Sequence, residues 1–201
     1  MTGRHLPSSM PQNPEDVPTP DCLQAPWRIT YLEALEAKEK RTGPPTASSG
    51  SFLLDYWRDP ANDGPNHVIV RDDHGMILLN AFPYANGHLL VALGDARPSL
   101  LDYERHQRAA FWNLVEVAND LMQRALQPQG INFGINQGRA AGAGVPQHLH
   151  AHLVPRWGGD VNFITTVGQV RVNPSSLEHM AMRMRMTARD AGMPFTGLSD
   201  R

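Results

Sequence analysis

Residues 147–155 read Gln-His-Leu-His-Ala-His-Leu-Val-Pro and place three histidines, His148, His150 and His152, two residues apart. A spacing of two is the period of a β-strand, so the three imidazoles would project from one face and the apolar residues between them into a core. On a helix the same residues would spread around the axis, so the pattern predicts a strand. Neighbouring side chains on that face would lie about 6.6–7 Å apart, close to the length of a phosphate-chain segment.

The histidine face has three interpretations. The first is a solvated strand face that carries histidine by chance, in a chain with 9 histidines among 201 residues. The second is a zinc site, because two histidines at i and i+2 can share a metal, but the segment has no nearby cysteine and its nearest carboxylate is Asp160. The third is nucleophilic catalysis at phosphorus, in which one neutral imidazole attacks and its neighbours hold the oxygens. We favour the third interpretation and expect no metal site.

Composition describes an ordinary globular chain of 22.2 kDa, which is long enough for one domain with a proper core. A net charge of -2 gives no reason to expect nucleic-acid or anionic-membrane partners. The single cysteine, Cys22, excludes an intrachain disulfide and an all-cysteine metal cage. Without a run of 18 apolar residues or an apolar signal core, the sequence predicts a cytoplasmic protein.

The rest of the chain predicts an α+β fold in which short strands are joined by hairpins and two main helices lie against the sheet. Residues 1–22 are predicted to be a disordered arm, and residues 23–195 a single domain whose first segment, 23–32, docks on the body. A short charged helix (33–41) and a linker (42–51) follow, and Phe52-Leu53-Leu54 fits no element. The predicted strands are 67–71, 76–80, 88–93, 131–136 and the histidine strand; the predicted helices are 103–126 and Asn173-Pro174 to about 191.

Several segments resemble the histidine triad superfamily of nucleotide hydrolases and transferases. His148–Val154 resembles its signature, and Asn80–His88 looks like its first nucleotide-binding segment. Gly134–Gly138 and Pro155–Phe163 are similar to the bacterial diadenosine tetraphosphate phosphorylase branch, and the resemblance covers roughly residues 23 to 175. It implies a five-stranded antiparallel sheet, a nucleotide substrate and a homodimer.

The expected chemistry is attack by His150 on the α-phosphorus of a nucleoside polyphosphate, since a neutral imidazole needs no strong base. The resemblance places the nucleophile at the middle histidine, which is His150 here. His148 and His152 flank it and would donate to non-bridging oxygens or to the carbonyl that anchors the nucleophile.

Residues outside the triad are expected to bind the nucleotide. By the resemblance, Asn80 and His88 would contact the ribose or phosphates and Gln137 the phosphate chain. Backbone groups would cradle the phosphates at Asn136, Gly142 and Gly144. Related enzymes often carry a hydroxyl or amide four residues before the first histidine of the triad, where this chain has Gly144, so the selection of the acceptor is open. Residues 137–146 form a loop rich in glycine and alanine, called the Gly/Ala loop below, and its alternative interpretation is a plain flexible turn.

Arg139 and Arg156 are candidate counter-charges for the leaving phosphates, with ordinary surface arginines as the alternative. The predicted function is cleavage of dinucleoside polyphosphates such as diadenosine tetraphosphate through a nucleotidyl-histidine, with orthophosphate as the favoured acceptor. The alternatives are a hydrolase that uses water and a nucleotide-binding protein without turnover. We expect no cofactor bound by a protein cage, and any divalent cation would arrive with the nucleotide.

Overall fold

A computed structural model describes residues 50–160, Val167 and 174–193. Five strands form one antiparallel sheet: β1 (Val68–Arg71), β2 (Gly75–Leu79), β3 (Leu89–Leu93), β4 (Gly130–Ile135) and β5 (His150–Arg156). Their order is β1-β2-β3-β5-β4, so β4 lies at an edge and the histidine strand β5 lies inside the sheet. Three helices whose bounds lie within the described ranges accompany it: α1 (Phe52–Arg58), α2 (Arg105–Leu126) and α3 (Leu177–Asp190). The predicted fold class and five-stranded antiparallel sheet are confirmed.

Some predictions fall outside the described residues. They concern the arm (1–22), the docking segment (23–32), the short charged helix (33–41) and most of the linker (42–51). The chain divides into two compact units, Met1–Pro44 and Pro45–Arg201, and all described residues belong to the second. The predicted domain bounds at 23 and 195 therefore stay a prediction.

The β1–β2 hairpin turns at the predicted position because side-chain and steric constraints coincide there. Oδ1 of Asp72 accepts hydrogen bonds from the backbone N–H groups of His74 and Gly75, at 2.8 and 2.7 Å. A Cβ at Gly75 would lie 2.4 Å from the carbonyl oxygen of Ala92 on β3, so only glycine lets the two strands approach at this point.

α2 packs one face on the sheet, and its apolar period predicts that face residue by residue. A capping box between Glu104 and Gln107 begins the helix, and Gln127 ends it in the left-handed conformation with φ 47°. Seven residues at helical spacing are buried: Phe111, Leu114, Val115, Ala118, Leu121, Met122 and Ala125. They join the larger of two cores, on the sheet face opposite the histidines.

α3 begins later than predicted. Ser176 is its N-cap, with Oγ accepting from the N–H of His179, so the first turn is satisfied three residues beyond the predicted cap at Asn173. Asn173 itself lies outside the described residues. The predicted end near residue 191 is confirmed: the helix ends at Asp190, and Gly192 follows with φ 65°.

The methionines of α3 divide between core and surface. Met180 and Met184, four residues apart on one helical face, are buried, whereas Met182 and Met186 are 56% and 58% exposed. Two of the four thus use the flexible methionine side chain to fill the core.

The opposite sheet face carries a smaller core that is closed by α1, the helix that periodicity did not assign. Leu53 on α1 is fully buried among residues of the first three strands: Val68, Met76, Leu78, Leu90 and Ala92. The histidines of β5 project from the same face as this smaller core.

Among the described residues, no helix is long and apolar enough to cross a bilayer.

Candidate active site

β5 lies between β3 and β4, and the strand register decides where each histidine points. His150 pairs with Ala92 and His152 with Leu90, two residues of the smaller core. Cross-strand partners share a sheet face, so both imidazoles lie on the side of α1, and the residues between them enter the larger core. The predicted one-faced arrangement is confirmed for His150 and His152, whereas His148 lies just before the strand begins.

His150 presents a lone pair in a fixed direction. Its Nδ1 lies 2.9 Å from the carbonyl oxygen of His148, and a carbonyl only accepts, so Nδ1 carries the proton. In the neutral ring the lone pair is then on Nε2. Nε2 has no hydrogen-bond partner among the described residues. Every side-chain nitrogen or oxygen that is buried in this part of the chain does have a partner. Nε2 is therefore not buried and must reach solvent. Burial lowers the pKa of His150 below the usual 6.5, while the bond to His148 raises it in part, so the ring is neutral at pH 7.

His148 is fully buried and uses both ring nitrogens within the protein. Nε2 donates to the carbonyl of Leu93 at 2.8 Å, which makes Nδ1 an acceptor, and Nδ1 lies 2.9 Å from the hydroxyl of Ser51. Burial lowers the pKa of His148 more than the Leu93 bond raises it. The expectation that this imidazole donates to substrate oxygens is not supported by its position. Its backbone carbonyl, in contrast, is the expected anchor of the nucleophile.

His88 sets the orientation of His152. The backbone N–H of Tyr84 lies 3.1 Å from Nδ1 of His88 and can only donate, so Nδ1 of His88 is an acceptor. The proton of the neutral His88 ring is therefore on Nε2, which donates to Nδ1 of His152 at 3.0 Å. Since Nδ1 of His152 accepts, its Nε2 carries the hydrogen and is a donor.

His152 thus sits beside the nucleophile as a neutral donor. Its ring centroid lies 4.9 Å from that of His150 and 6.0 Å from that of Tyr84, with which it stacks. Burial, followed by the proximity of His150, lowers the pKa of His152 to about 4. A nucleophile with a free lone pair and a fixed donor next to it is an arrangement suited to attack on a phosphoryl group.

Asn80 and His88 make hydrogen bonds that support His152, and the predicted contact of Asn80 with the nucleotide stays a prediction. Oδ1 of Asn80 accepts from the N–H of Phe82 at 3.0 Å, and its amide nitrogen lies 3.3 Å from Nδ1 of His88. His88 is fully buried beneath His152. Direct contact between His88 and a ribose or phosphate is therefore not supported by its position, and Asn80 holds the loop that orients it.

The Gly/Ala loop enters the site from β4. Ile135 pairs with Ala151, which brings Asn136 level with His150. The loop then makes a single 3-10 turn that ends at Gly142 in the left-handed conformation, φ 85°, and Gly144 is exposed with open space where a Cβ would be. Contacts of Asn136, Gly142 and Gly144 with phosphate stay predictions.

Gln137 is tied to a neighbouring turn. Its Oε1 accepts from the backbone N–H of Leu100 at 3.0 Å, and the amide nitrogen remains for other contacts. The predicted contact between Gln137 and a phosphate chain is neither made nor excluded by this bond, and it stays a prediction.

The two candidate counter-charges lie in different places. Arg156 is six residues from His150 along β5, roughly 20 Å at 3.3 Å per residue. Its guanidinium donates to both carboxylate oxygens of Asp160, at 2.6 and 3.0 Å, and to Asn132, and Asp160 holds the pKa of Arg156 above its usual value. A counter-charge role beside His150 is not supported by that position. Arg139 is exposed in the Gly/Ala loop, and its predicted role remains open.

Three groups of the site were missed from the sequence: the hydroxyl of Ser51, the carbonyl of Leu93 and the ring of Tyr84. Only Ser51 has a sequence signal, because a serine just before the apolar run Phe52-Leu53-Leu54 is typical of a helix N-cap. Within the described residues, no group of three or more His, Cys, Asp or Glu side chains is arranged to hold a metal ion.

Comparison with known proteins agrees with this geometry. The chain is 34% identical to an AP-4-A phosphorylase of Mycobacterium tuberculosis over 77% of each chain. It is 29% identical to a bis(5'-adenosyl)-triphosphatase of Dictyostelium discoideum over 45% of this chain and 60% of that protein. A HIT-like protein of Bartonella henselae superposes with a TM-score of 0.56 over 71% of this chain and 99% of that one, at 23% identity, and so shares the fold. Residues 62–159 match the family model of the HIT domain. The chain belongs to the HIT family.

Proposed function

We propose that this HIT protein cleaves dinucleoside polyphosphates such as diadenosine tetraphosphate by transferring a nucleotidyl group to His150. The observation that carries the proposal is the lone pair on Nε2 of His150, which the bond from Nδ1 to the carbonyl of His148 directs outward. The names of the Mycobacterium and Dictyostelium relatives support this substrate class.

The first step forms one bond and breaks one. Nε2 of His150 attacks the α-phosphorus, the bond from that phosphorus to the bridging oxygen breaks, and the leaving nucleotide departs with the bonding electron pair. From diadenosine tetraphosphate this gives adenylyl-His150 and ATP. The N–H at Nε2 of His152 donates to an oxygen of the reacting phosphate, where charge accumulates in the transition state.

The second step regenerates the imidazole. An oxygen of orthophosphate attacks the adenylyl phosphorus, the phosphorus–nitrogen bond breaks, and the lone pair returns to His150, giving ADP. Two anions must meet, so hydrogen-bond donors and positive charge have to be near. The backbone of the loop from Gly138 to Gly144 and the guanidinium of Arg139 are the proposed sources.

Phosphorolysis is favoured over hydrolysis because the M. tuberculosis relative, a phosphorylase by name, matches more of the chain than the triphosphatase does. Water as the acceptor is the second candidate and would give AMP. A nucleotide-binding protein without turnover is disfavoured, because binding alone needs no oriented lone pair on His150.

The proposed working form is a homodimer with a nucleotide as its small-molecule partner. Any divalent cation is proposed to enter with the phosphate chain. The cytoplasmic location and the lack of nucleic-acid and membrane partners stay predictions from composition.

The deciding assay supplies diadenosine tetraphosphate with and without millimolar phosphate labelled with ¹⁸O, and separates the products. Phosphorolysis predicts ATP and ADP, with the label in the β-phosphate of ADP. ATP with AMP, at a rate indifferent to phosphate, would assign the protein to the hydrolases. Nucleotide binding without any product would contradict the enzymatic proposal.

A further inference from the structure

Ser51 lies outside the residues matched by the HIT domain family model, 62–159, yet its hydroxyl touches the triad. The residue is 1% exposed, and its Oγ lies within hydrogen-bond distance of two described residues in different directions. Oγ accepts from the backbone N–H of Leu54 as the N-cap of α1, and it lies 2.9 Å from Nδ1 of His148. One serine therefore joins the start of a helix to the first histidine of the triad.

The direction of the second bond follows from the partners of His148. Nε2 of His148 faces the carbonyl of Leu93 and must carry a hydrogen, so in the neutral ring Nδ1 has a lone pair. Only a donor satisfies that lone pair, and the hydroxyl of Ser51 is the donor in place. A second contact joins the same two segments: the side-chain amide of Gln147, which precedes His148, donates to the carbonyl of Gly50, which precedes Ser51.

α1 holds Ser51 against the triad because the last turn of the helix is fixed to the sheet. Arg71 donates to the carbonyls of Tyr56 and Trp57 in its last turn, at 3.0 Å each. The indole of Trp57 packs on Gly94, where a Cβ would lie 2.1 Å from the ring. Gly94 follows Leu93, whose carbonyl accepts from His148. The C-terminal end of α1 therefore packs beside the acceptor of the His148 ring, and the N-terminal end carries Ser51, the donor to that ring.

We propose that Ser51 is a positioning residue for the nucleophile. Its O–H donates to Nδ1 of His148, Nε2 of His148 donates to Leu93, and the imidazole so held fixes the backbone carbonyl that receives the N–H of His150. The lone pair of His150 is aimed through this chain of three bonds. The inference rests on the proposed function insofar as His150 is the nucleophile.

Four variants separate positioning from helix capping. Ser51→Ala removes both bonds, and Ser51→Thr keeps a hydroxyl for both. Ser51→Asp caps a helix about as well as serine, but its carboxylate cannot donate to His148. Ser176→Ala is the matched control, because it removes the equivalent N-cap bond from α3.

Two measurements are made on the full chain of each variant: the rate of nucleotidyl transfer to the protein in a single turnover, and the ¹⁵N spectrum of the histidine rings. Wild-type protein and Ser51→Thr should show His148 protonated at Nε2 alone. Ser51→Asp should leave Nδ1 of His148 protonated as well. Both Ser51→Asp and Ser51→Ala should slow transfer about tenfold or more, because a misplacement of a reacting group by about 1 Å can cost about a hundredfold in rate. Ser176→Ala should leave the rate and the spectrum of His148 unchanged.

Transfer in Ser51→Asp at the wild-type rate would show that capping is the whole role of Ser51 and would overturn the proposal. An unchanged His148 signal in Ser51→Ala would do so too. Failure of the proposed function would look different, since wild-type protein itself would then form no nucleotidyl adduct, while the ring spectra would still report whether Ser51 donates to Nδ1 of His148.

Discussion

Nε2 of His88 lies 3.0 Å from Nδ1 of His152, a contact between residues 64 positions apart, and the backbone N–H of Tyr84 fixes its direction. Because His88 must donate through Nε2, His152 must present its own N–H toward the substrate. The proton positions of His88 and His152 thus originate in the loop before β3.

Removal of His88 should impair catalysis without removing the substrate site. His88→Phe keeps an aromatic ring but has no nitrogen to donate to His152, so the donor of His152 loses its orientation. We expect adduct formation to slow by about tenfold to hundredfold, the scale of cost for a misplaced catalytic group, while nucleotide affinity changes little. Single-turnover kinetics and equilibrium titration test this, with His106→Ala on the exposed start of α2 as control. A loss of affinity without a loss of rate would place His88 in binding instead.

Features of the fold and the site that follow from a periodic sequence pattern could be predicted, whereas features that depend on contacts between distant segments could not. The buried face of α2 follows from its apolar period alone, whereas α1 does not, because Phe-Leu-Leu-Asp-Tyr-Trp-Arg has no clean period over only seven residues. The histidine face follows from strand alternation. The different roles of His148, His150 and His152 could not be predicted in this way. They depend on which backbone carbonyl contacts which ring nitrogen, and the register between β3 and β5 determines those contacts.

Replacement of the nucleophile should separate binding from chemistry. His150→Ala should lower turnover by several orders of magnitude while nucleotide binding survives, because the other two histidines of the triad use Nδ1 as an acceptor within the protein and have no lone pair left for attack. Rapid quench followed by intact-mass analysis should find a nucleotidyl adduct on His150 in the wild-type protein and none in the variant. Near-normal turnover in His150→Ala would refute the assignment.

Acid should destabilise the fold through the histidines of the site. Burial lowers the pKa of His148, His150 and His152 in the folded chain, to about 4 for His152, so below 6.5 the unfolded chain binds more protons than the folded one. The free energy of unfolding should therefore fall as the pH drops from about 6.5 toward 4. Urea unfolding at a series of pH values measures the slope. His152→Gln should have a shallower slope, and a wild-type stability that rises on acidification would contradict the shifts.

The surface of β4 predicts how two copies would pair. β4 is an edge strand whose residues are exposed or half-buried, and Phe133 on it is 56% exposed. An open strand edge with an exposed aromatic side chain is a liability unless another chain covers it. We expect light scattering at micromolar concentration to give twice the chain mass, and Phe133→Glu to reduce it to a monomer, because burying a carboxylate without a partner is costly. Met182→Glu, an equally exposed apolar position on α3, should stay dimeric. A wild-type monomer with full activity would show that pairing is dispensable, and a dimeric Phe133→Glu would move the interface away from β4.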